Sequence, residues 1–166
     1  MTQVYNHILF VMGVSGSGKS TIGKLLAEAL DYPFFDGDDF HPDVNIEKMS
    51  AGKPLNDEDR YDWLVALNIL AKNNLVKGAV IACSALKESY RDLLQAGISK
   101  GVYYIYLKGS FQEVLERLQQ RKGHYMPLEL LQSQFDVLSP PKNAIVVKIN
   151  QQPEKMVHTI LTALDT

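Results

Sequence analysis

The sequence predicts an α/β fold, a five-stranded parallel sheet sandwiched by helices. Two observations carry that expectation. Short apolar runs alternate with longer amphipathic stretches along the 166 residues. The runs are continuous, the pattern of strands buried on both faces, and strands separated by helices imply parallel crossovers.

Residues 8–12 read as the first strand, which ends at Gly13. A helix follows over 19–30, with Ile22, Leu25, Leu26 and Ala29 on one face. Residues 33–36 form a short second strand, stopped by Gly37. Asn56 before Asp57, Glu58 and Asp59 reads as an N-cap with an acidic first turn. Its helix should reach about Asn73 and bury Leu64, Leu67 and either Leu70 or Ala71. The third strand is placed at 79–83, a helix at 87–96 with Gly97 as its stop, and the fourth strand at 102–107. Two helices come next, over 111–120 and from near Pro127, since proline suits a first helical turn. The fifth strand at 144–149 and a helix at 153–164 close the chain. There is no internal repeat, low-complexity tract or linker, so a single domain over 1–166 is expected.

Hydrophobic residues make up 46% and charged residues 22%, ordinary values for a globular chain. A formal net charge of −2 offers no electrostatic case for nucleic acid or a membrane surface as partner. The single cysteine, Cys83, excludes an internal disulfide and fits a reducing compartment; its apolar neighbours predict a buried structural thiol. The apolar stretch at 8–12 is too short for a signal sequence or membrane span, so a cytoplasmic protein is expected.

Gly13-Val14-Ser15-Gly16-Ser17-Gly18-Lys19-Ser20, followed by Thr21, matches the phosphate-binding P-loop pattern in full. Its glycines let successive backbone N–H groups turn towards phosphate oxygens, and the helix that opens at Lys19 adds its N-terminal dipole. The Lys19 ammonium suits β- and γ-phosphates, and the Ser20 hydroxyl suits Mg²⁺. The strand before the loop and the helix after it supply the context the motif requires. The expected class is a P-loop kinase that uses ATP and Mg²⁺.

Ligands of such sheets bind beyond the carboxyl ends of the strands. There the second strand runs into Asp36-Gly37-Asp38-Asp39-Phe40-His41. Phosphoryl transfer needs one carboxylate near the metal and another for the attacking hydroxyl. The third strand ends Ile81-Ala82-Cys83-Ser84 without an acid, which moves the metal role to Asp36 or Asp38. Asp36 is assigned to Mg²⁺ and Asp38 to the hydroxyl, an assignment that the sequence leaves reversible.

Further segments point in one direction. They are Asp36 to Pro42 with Asn45, Lys48 and Met49; Gly52-Lys53-Pro54-Leu55 with Asp57, Asp59, Arg60 and Trp63; Cys83 to Lys87 with Tyr90-Arg91-Asp92; and His124-Tyr125-Met126 with Ser133-Gln134-Phe135. With the P-loop, these make the chain resemble the thermoresistant-type gluconate kinases, members of the superfold of shikimate and nucleoside-monophosphate kinases. The resemblance spans nearly the whole chain. Two departures are Tyr125, where the family pattern has phenylalanine, and Ser139-Pro140-Pro141, where it has an acid before the proline.

The resemblance implies ATP-dependent phosphorylation of the 6-hydroxyl of D-gluconate, with Mg²⁺ and a homodimer. A sugar acid needs a cationic fork for its carboxylate and side chains for its hydroxyls. By analogy with shikimate kinases, Arg60 is the expected carboxylate clamp. Lys87 and Arg91 lie four apart on one helix face; they join the substrate group on the resemblance, while by spacing they equally suit a solvated face with Glu88 and Asp92. His41, Asn45 and His124 complete the expected substrate contacts. Trp63 reads as core, with packing under the substrate pocket as the alternative.

Arg117, Arg121, Lys122 and Gly123 suit a helical lid over about 117–138, closing on the phosphates with Gly123 as hinge. Arg121 is assigned to the transferring phosphoryl and Arg117 to adenine, with a solvent-facing side chain as its alternative and Lys142 and Asn143 as weaker adenine contacts. Two other functions compete: a kinase of the same superfold for another polyol or a shikimate-like acceptor, and a nucleotide-binding switch without transferase activity.

Overall fold

The computed structural model describes residues 7–121 and 127–165. Strands β1 (Ile8–Met12), β2 (Phe34–Asp36), β3 (Ala79–Ala82), β4 (Val102–Lys108) and β5 (Ile145–Lys148) form one parallel sheet in the order β2-β3-β1-β4-β5. β1 lies at its centre, with Ile8 opposite Ala79 on one side and Val102 on the other. Every side chain of β1 and β3 is buried, as their unbroken apolar runs require. β5 is an edge strand, and there the pattern relaxes: Val146 and Lys148 face outwards.

The helices are α1 (Lys19–Leu30), α2 (Asp43–Ser50), α3 (Asp57–Asn73), α4 (Glu88–Leu94), α5 (Phe111–Gln120), α6 (Leu128–Val137) and α7 (Pro153–Leu164). The chain steps one way from β1 to β2 and the other way in every later crossover. Right-handed crossovers therefore put α1 on one face and α3 to α6 on the other. α7 packs beside α1, and α3 beside α4.

α3 buries Leu64, Leu67 and Ala71, which decides between the two expected alternatives, since Leu70 is only partly covered. The α1 face is Ile22, Gly23, Leu26 and Ala27; Ala29, expected on it, is exposed. Pro127 precedes α6 as its N-cap instead of starting it.

Two elements are absent from the sequence-based reading. Gly37–Phe40 is a 3₁₀ turn and Asp43–Ser50 is α2. The apolar residues Val44 and Ile46 of α2 are exposed, and its buried residue is Asn45, so no amphipathic stripe marks the helix.

Gly37 shows why the turn can form. It starts directly over β3, and a Cβ there would lie 2.4 Å from the Ala82 carbonyl oxygen. Gly37→Ala should destabilise the protein by about 1–3 kcal/mol, the usual cost of forced overpacking. Urea unfolding checks this, read as a lower midpoint at unchanged slope.

Candidate active site

At the carboxyl edge of the sheet the P-loop turns from β1 into α1 through Gly16 and Gly18, at φ 81° and 98°. These left-handed conformations suit glycine and let the backbone turn sharply between strand and helix. The Lys19 Nζ donates to the carbonyls of Gly13 and Val14, 3.0 Å each, which fixes the ammonium over the loop. Burial lowers the Lys19 pKa; Asp38, Cys83 and Asp36 oppose that fall, and Arg121 adds to it. Val14 and Gly18 are buried, whereas Thr21 is exposed on the first turn of α1. The Ser17 hydroxyl is buried without a partner among the described residues.

The Ser20 hydroxyl donates to Asp36 Oδ2 at 3.0 Å, and Asp36 Oδ1 accepts the Asp38 N–H at 3.0 Å. Asp36 thus spans from the 3₁₀ turn to the P-loop across the acid-free end of β3. Two oxygen ligands beside a phosphate loop fit Mg²⁺, which typically takes one or two carboxylates and leaves its other positions to waters and phosphates. Among the described residues no group of three acids, histidines or cysteines offers a self-sufficient metal cage.

A cavity of about 680 Å³ opens beside the loop, and Lys19, Asp38, His41, Arg60 and Trp63 all line it. Water reaches 82% of the Asp38 side chain. The carboxyl lines a cleft, and desolvation by its walls raises the Asp38 pKa; Lys19 pulls it down, while Asp36 and Asp39 push it up. Trp63 joins its two expected roles. It is buried, donates its Nε1–H to the Gly37 carbonyl at 2.7 Å, and stacks under His41 with centroids 4.1 Å apart.

Arg60 reaches the cavity from the first turn of α3. Its Nη1 donates to the Leu55 carbonyl (2.6 Å) and the Tyr90 hydroxyl (2.9 Å), and the guanidinium lies 5.3 Å from the Tyr90 ring centroid. Tyr90 in turn donates to Asp57. Lys87, expected among substrate contacts, is instead paired with Asp57 at 2.9 Å and does not line the cavity. Arg91 is not brought to it either: the residue is buried, its Nη1 donating to Ala85 O (2.7 Å) and its Nη2 to Ser139 O (2.9 Å). Asn45 is also buried, with its amide engaged inside the protein.

On the nucleotide side, the Arg117 guanidinium lies against Gly18 and donates to the Ile149 carbonyl. Arg121 is exposed at the end of α5, close enough for its charge to act on Lys19. Lys142 and Asn143 are exposed in the loop before β5 and do not line the cavity. Lys122, the Gly123 hinge and His124 lie outside the described residues.

Gln134 of α6 was given no role from the sequence. Its Oε1 accepts the Ser15 N–H at 2.7 Å, and its Nε2 donates to the Ser15 hydroxyl at 3.3 Å. The family segment Ser133-Gln134-Phe135 was the one signal for it, and no spacing rule picks out a glutamine.

Cys83 is buried, and desolvation pushes its thiol up to about 12, in line with a structural role. Burial first, and then Arg60, lowers His41 from 6.5 to about 4. The fold favours the neutral ring, so His41 costs nothing above pH 6.5 and progressively more as the pH falls towards 4, up to about 3 kcal/mol. His41→Gln should flatten the acid limb of stability in that window, measured by urea unfolding across pH. Parallel wild-type and variant curves would contradict the depressed value.

The shikimate kinase family model matches residues 15–165. The chain is 44% identical to the thermoresistant gluconokinase of Escherichia coli (strain K12), covering 96% of this chain and 94% of that one. It is 43% identical to a probable gluconokinase of Mus musculus, over 95% and 97% of the two chains. The crystal structure of a gluconokinase from Sinorhizobium meliloti 1021 superposes with a TM-score of 0.88 at 41% identity, covering 98% of this chain and 94% of that one. With such identities over nearly full length, and with the phosphate loop and acidic turn in one cleft, the chain belongs to the gluconokinase family, within the fold that the shikimate kinase model describes.

Proposed function

We propose that the protein transfers the γ-phosphoryl group of ATP to the 6-hydroxyl of D-gluconate, giving 6-phospho-D-gluconate and ADP. The observation that carries this reading is the convergence of Lys19, Asp38 and Arg60 on one cavity. They provide a cation for phosphate, a carboxylate for a hydroxyl and a fork for a carboxylate, and the cavity's 680 Å³ is ordinary for a small-molecule site.

Each residue has a defined task. The P-loop, residues 13–21, and the Lys19 ammonium bind the phosphates, with Arg117 on the adenine side. A Mg²⁺ ion held by Ser20 and Asp36 would neutralise charge on the β- and γ-phosphate oxygens. Asp38 accepts the proton of the attacking hydroxyl as its oxygen bonds to the γ-phosphorus and the bond to ADP breaks. Tyr90 and the Leu55 carbonyl orient the Arg60 guanidinium, whose remaining donors meet the gluconate carboxylate.

The helical lid over about 117–138 brings Arg121 to the transferring group and excludes water. Gln134 on Ser15 supports that reading, because it ties α6 to the phosphate loop. A single kinase domain, the family's homodimer and a cytoplasmic setting, in keeping with the buried thiol Cys83, complete the proposal. Among the described residues no helix is long and apolar enough to cross a membrane.

ADP release with Mg²⁺·ATP and a panel of D-gluconate, shikimate, glucose and nucleoside monophosphates tests the function. Turnover with gluconate alone is expected; preference for another acceptor would discard the substrate, and no acceptor-dependent turnover would favour a nucleotide switch. Asp38→Asn should remove turnover while ATP binding, followed by calorimetry, stays close to wild type. Arg60→Lys should raise the KM for gluconate about 10- to 100-fold, the worth of one lost charge-assisted hydrogen bond, and leave the KM for ATP in place.

A further inference from the structure

Two groups on the acceptor side of the cavity, Asp38 and His41, are both capable of taking a proton. The hydrogen bonds behind His41 separate their roles. Asn45 sits on α2 with its side chain buried. Its Nδ2 donates to the Asp59 main-chain carbonyl at 2.8 Å. A carbonyl only accepts, so this contact settles which end of the amide is nitrogen. The same Nδ2 lies 3.2 Å from His41 Nδ1. A ring nitrogen that faces an N–H donor must offer a lone pair, so Nδ1 is bare and the ring proton resides on Nε2.

We propose that Asn45 is a positioning residue that fixes His41 in its Nε2–H tautomer, so that the imidazole presents a donor, and not a base, to the acceptor side of the cavity. The ring has little freedom to escape this arrangement. Its side chain is 4% exposed, and it stacks on Trp63 with planes 16° apart. Nε2 points towards Asp38, 4.0 Å from Oδ1. The charged groups facing the ring are Asp38 from the 3₁₀ turn and Arg60 from α3. Behind Asn45, Asp59 is itself held by Lys48 at 2.6 Å and by the Asn56 N–H at 2.9 Å, so the carbonyl that orients the amide belongs to a braced turn.

The consequence for catalysis rests on the phosphoryl-transfer reading; the tautomer does not. Asp38 is left as the proton acceptor, while His41 donates either to the Asp38 carboxylate or to a substrate hydroxyl oxygen. In both cases it orders the hydrogen-bond polarity around the reacting group, in which acceptors and donors alternate. Nothing in the residue types of Asn45 and His41 distinguishes this from the simpler picture of two hydroxyl-binding side chains. The Asp59 carbonyl does.

The test is long-range proton–nitrogen NMR on the ¹⁵N-labelled protein at pH 7 without ligand. The chain has four histidines, and His41→Gln assigns the His41 signals. A pyridine-type Nδ1 and a pyrrole-type Nε2 are expected. In Asn45→Ala the bias is removed: the two nitrogen shifts move towards each other and kcat falls roughly tenfold, the scale of one lost hydrogen bond, while the KM for ATP is unchanged. Asn45→Asp, an acceptor at the same place, should draw the proton to Nδ1 and invert the pattern. Circular dichroism melts establish that each variant is folded, and the wild-type spectrum decides the tautomer even if neither is. A proton on Nδ1 or an imidazolium in the wild type overturns the proposal. So does a folded Asn45→Ala protein that keeps both the tautomer and kcat. A protein with the expected tautomer that phosphorylates some other acceptor supports this assignment and overturns the gluconate reading alone.

Discussion

The site depends on one carboxylate crossing the end of one strand. Asp36 closes β2, which is separated from the P-loop strand β1 by β3. To meet Ser20 it must span β3, and two features of the sequence clear the way. β3 ends at Ala82 and is followed by Cys83, with no bulky acid, and Gly37 lets the chain settle against the Ala82 carbonyl. With Oδ2 on Ser20 and Oδ1 on the Asp38 N–H, a single side chain sets the distance between the phosphate loop and the acidic turn. The Trp63 indole then clamps the turn from below through the Gly37 carbonyl. A side chain at position 37 would therefore disturb stability and the site geometry together.

A second brace forms at the start of α3. Asn56 and Asp59 make a reciprocal capping box, and Asp59 also receives Lys48 from α2. Both partners of that ion pair are partly exposed, so solvent screens it and it adds little to stability. Its value is orientation. The capped turn fixes α2 relative to α3, and hence His41 at the mouth of α2 relative to Arg60 on α3. Helix capping, ordinarily a local device, here sets the spacing between acceptor-side groups.

The sheet and the P-loop were legible because their signals are strong and local: unbroken apolar runs for β1 and β3, and a glycine pattern at the strand–helix junction. The acid-free end of β3 was legible too, and it directed attention to Asp36, whose carboxylate accepts the Ser20 hydroxyl. α2 was not, because its single buried residue is an asparagine and its apolar residues Val44 and Ile46 are exposed. Periodicity detects burial of apolar surface, and α2 is held by hydrogen bonds. The partners of Lys87 and Gln134 were hidden for a related reason. Lys87 meets Asp57 and Gln134 meets Ser15 across separations of 30 and 119 residues, which only the folded chain brings to contact range.

The contrast between Arg60 and Arg91 shows where residue type stops being informative. Both are arginines near the site, and both suit a carboxylate. Arg60 shares one nitrogen between two partners and opens onto the cavity, whereas Arg91 divides its fork between the Ala85 and Ser139 carbonyls. Desolvation lowers the Arg91 pKa, and Tyr104, Glu88 and Asp92 oppose that fall. In return it holds Ala85 at φ 46°, a left-handed conformation that costs a non-glycine residue about 1–3 kcal/mol. Ser139 donates its own N–H to Leu86 at 2.7 Å, so Arg91 and this bond tie the chain before β5 to the loop after β3. Ser84 and Leu86 of that loop line the cavity, and Arg91 shapes it from behind. The same geometry bears on Ser139, where the resemblance led to the expectation of an acid. The main chain of that residue makes both bonds while the residue itself is exposed, so the position constrains its backbone and leaves its side chain free to vary.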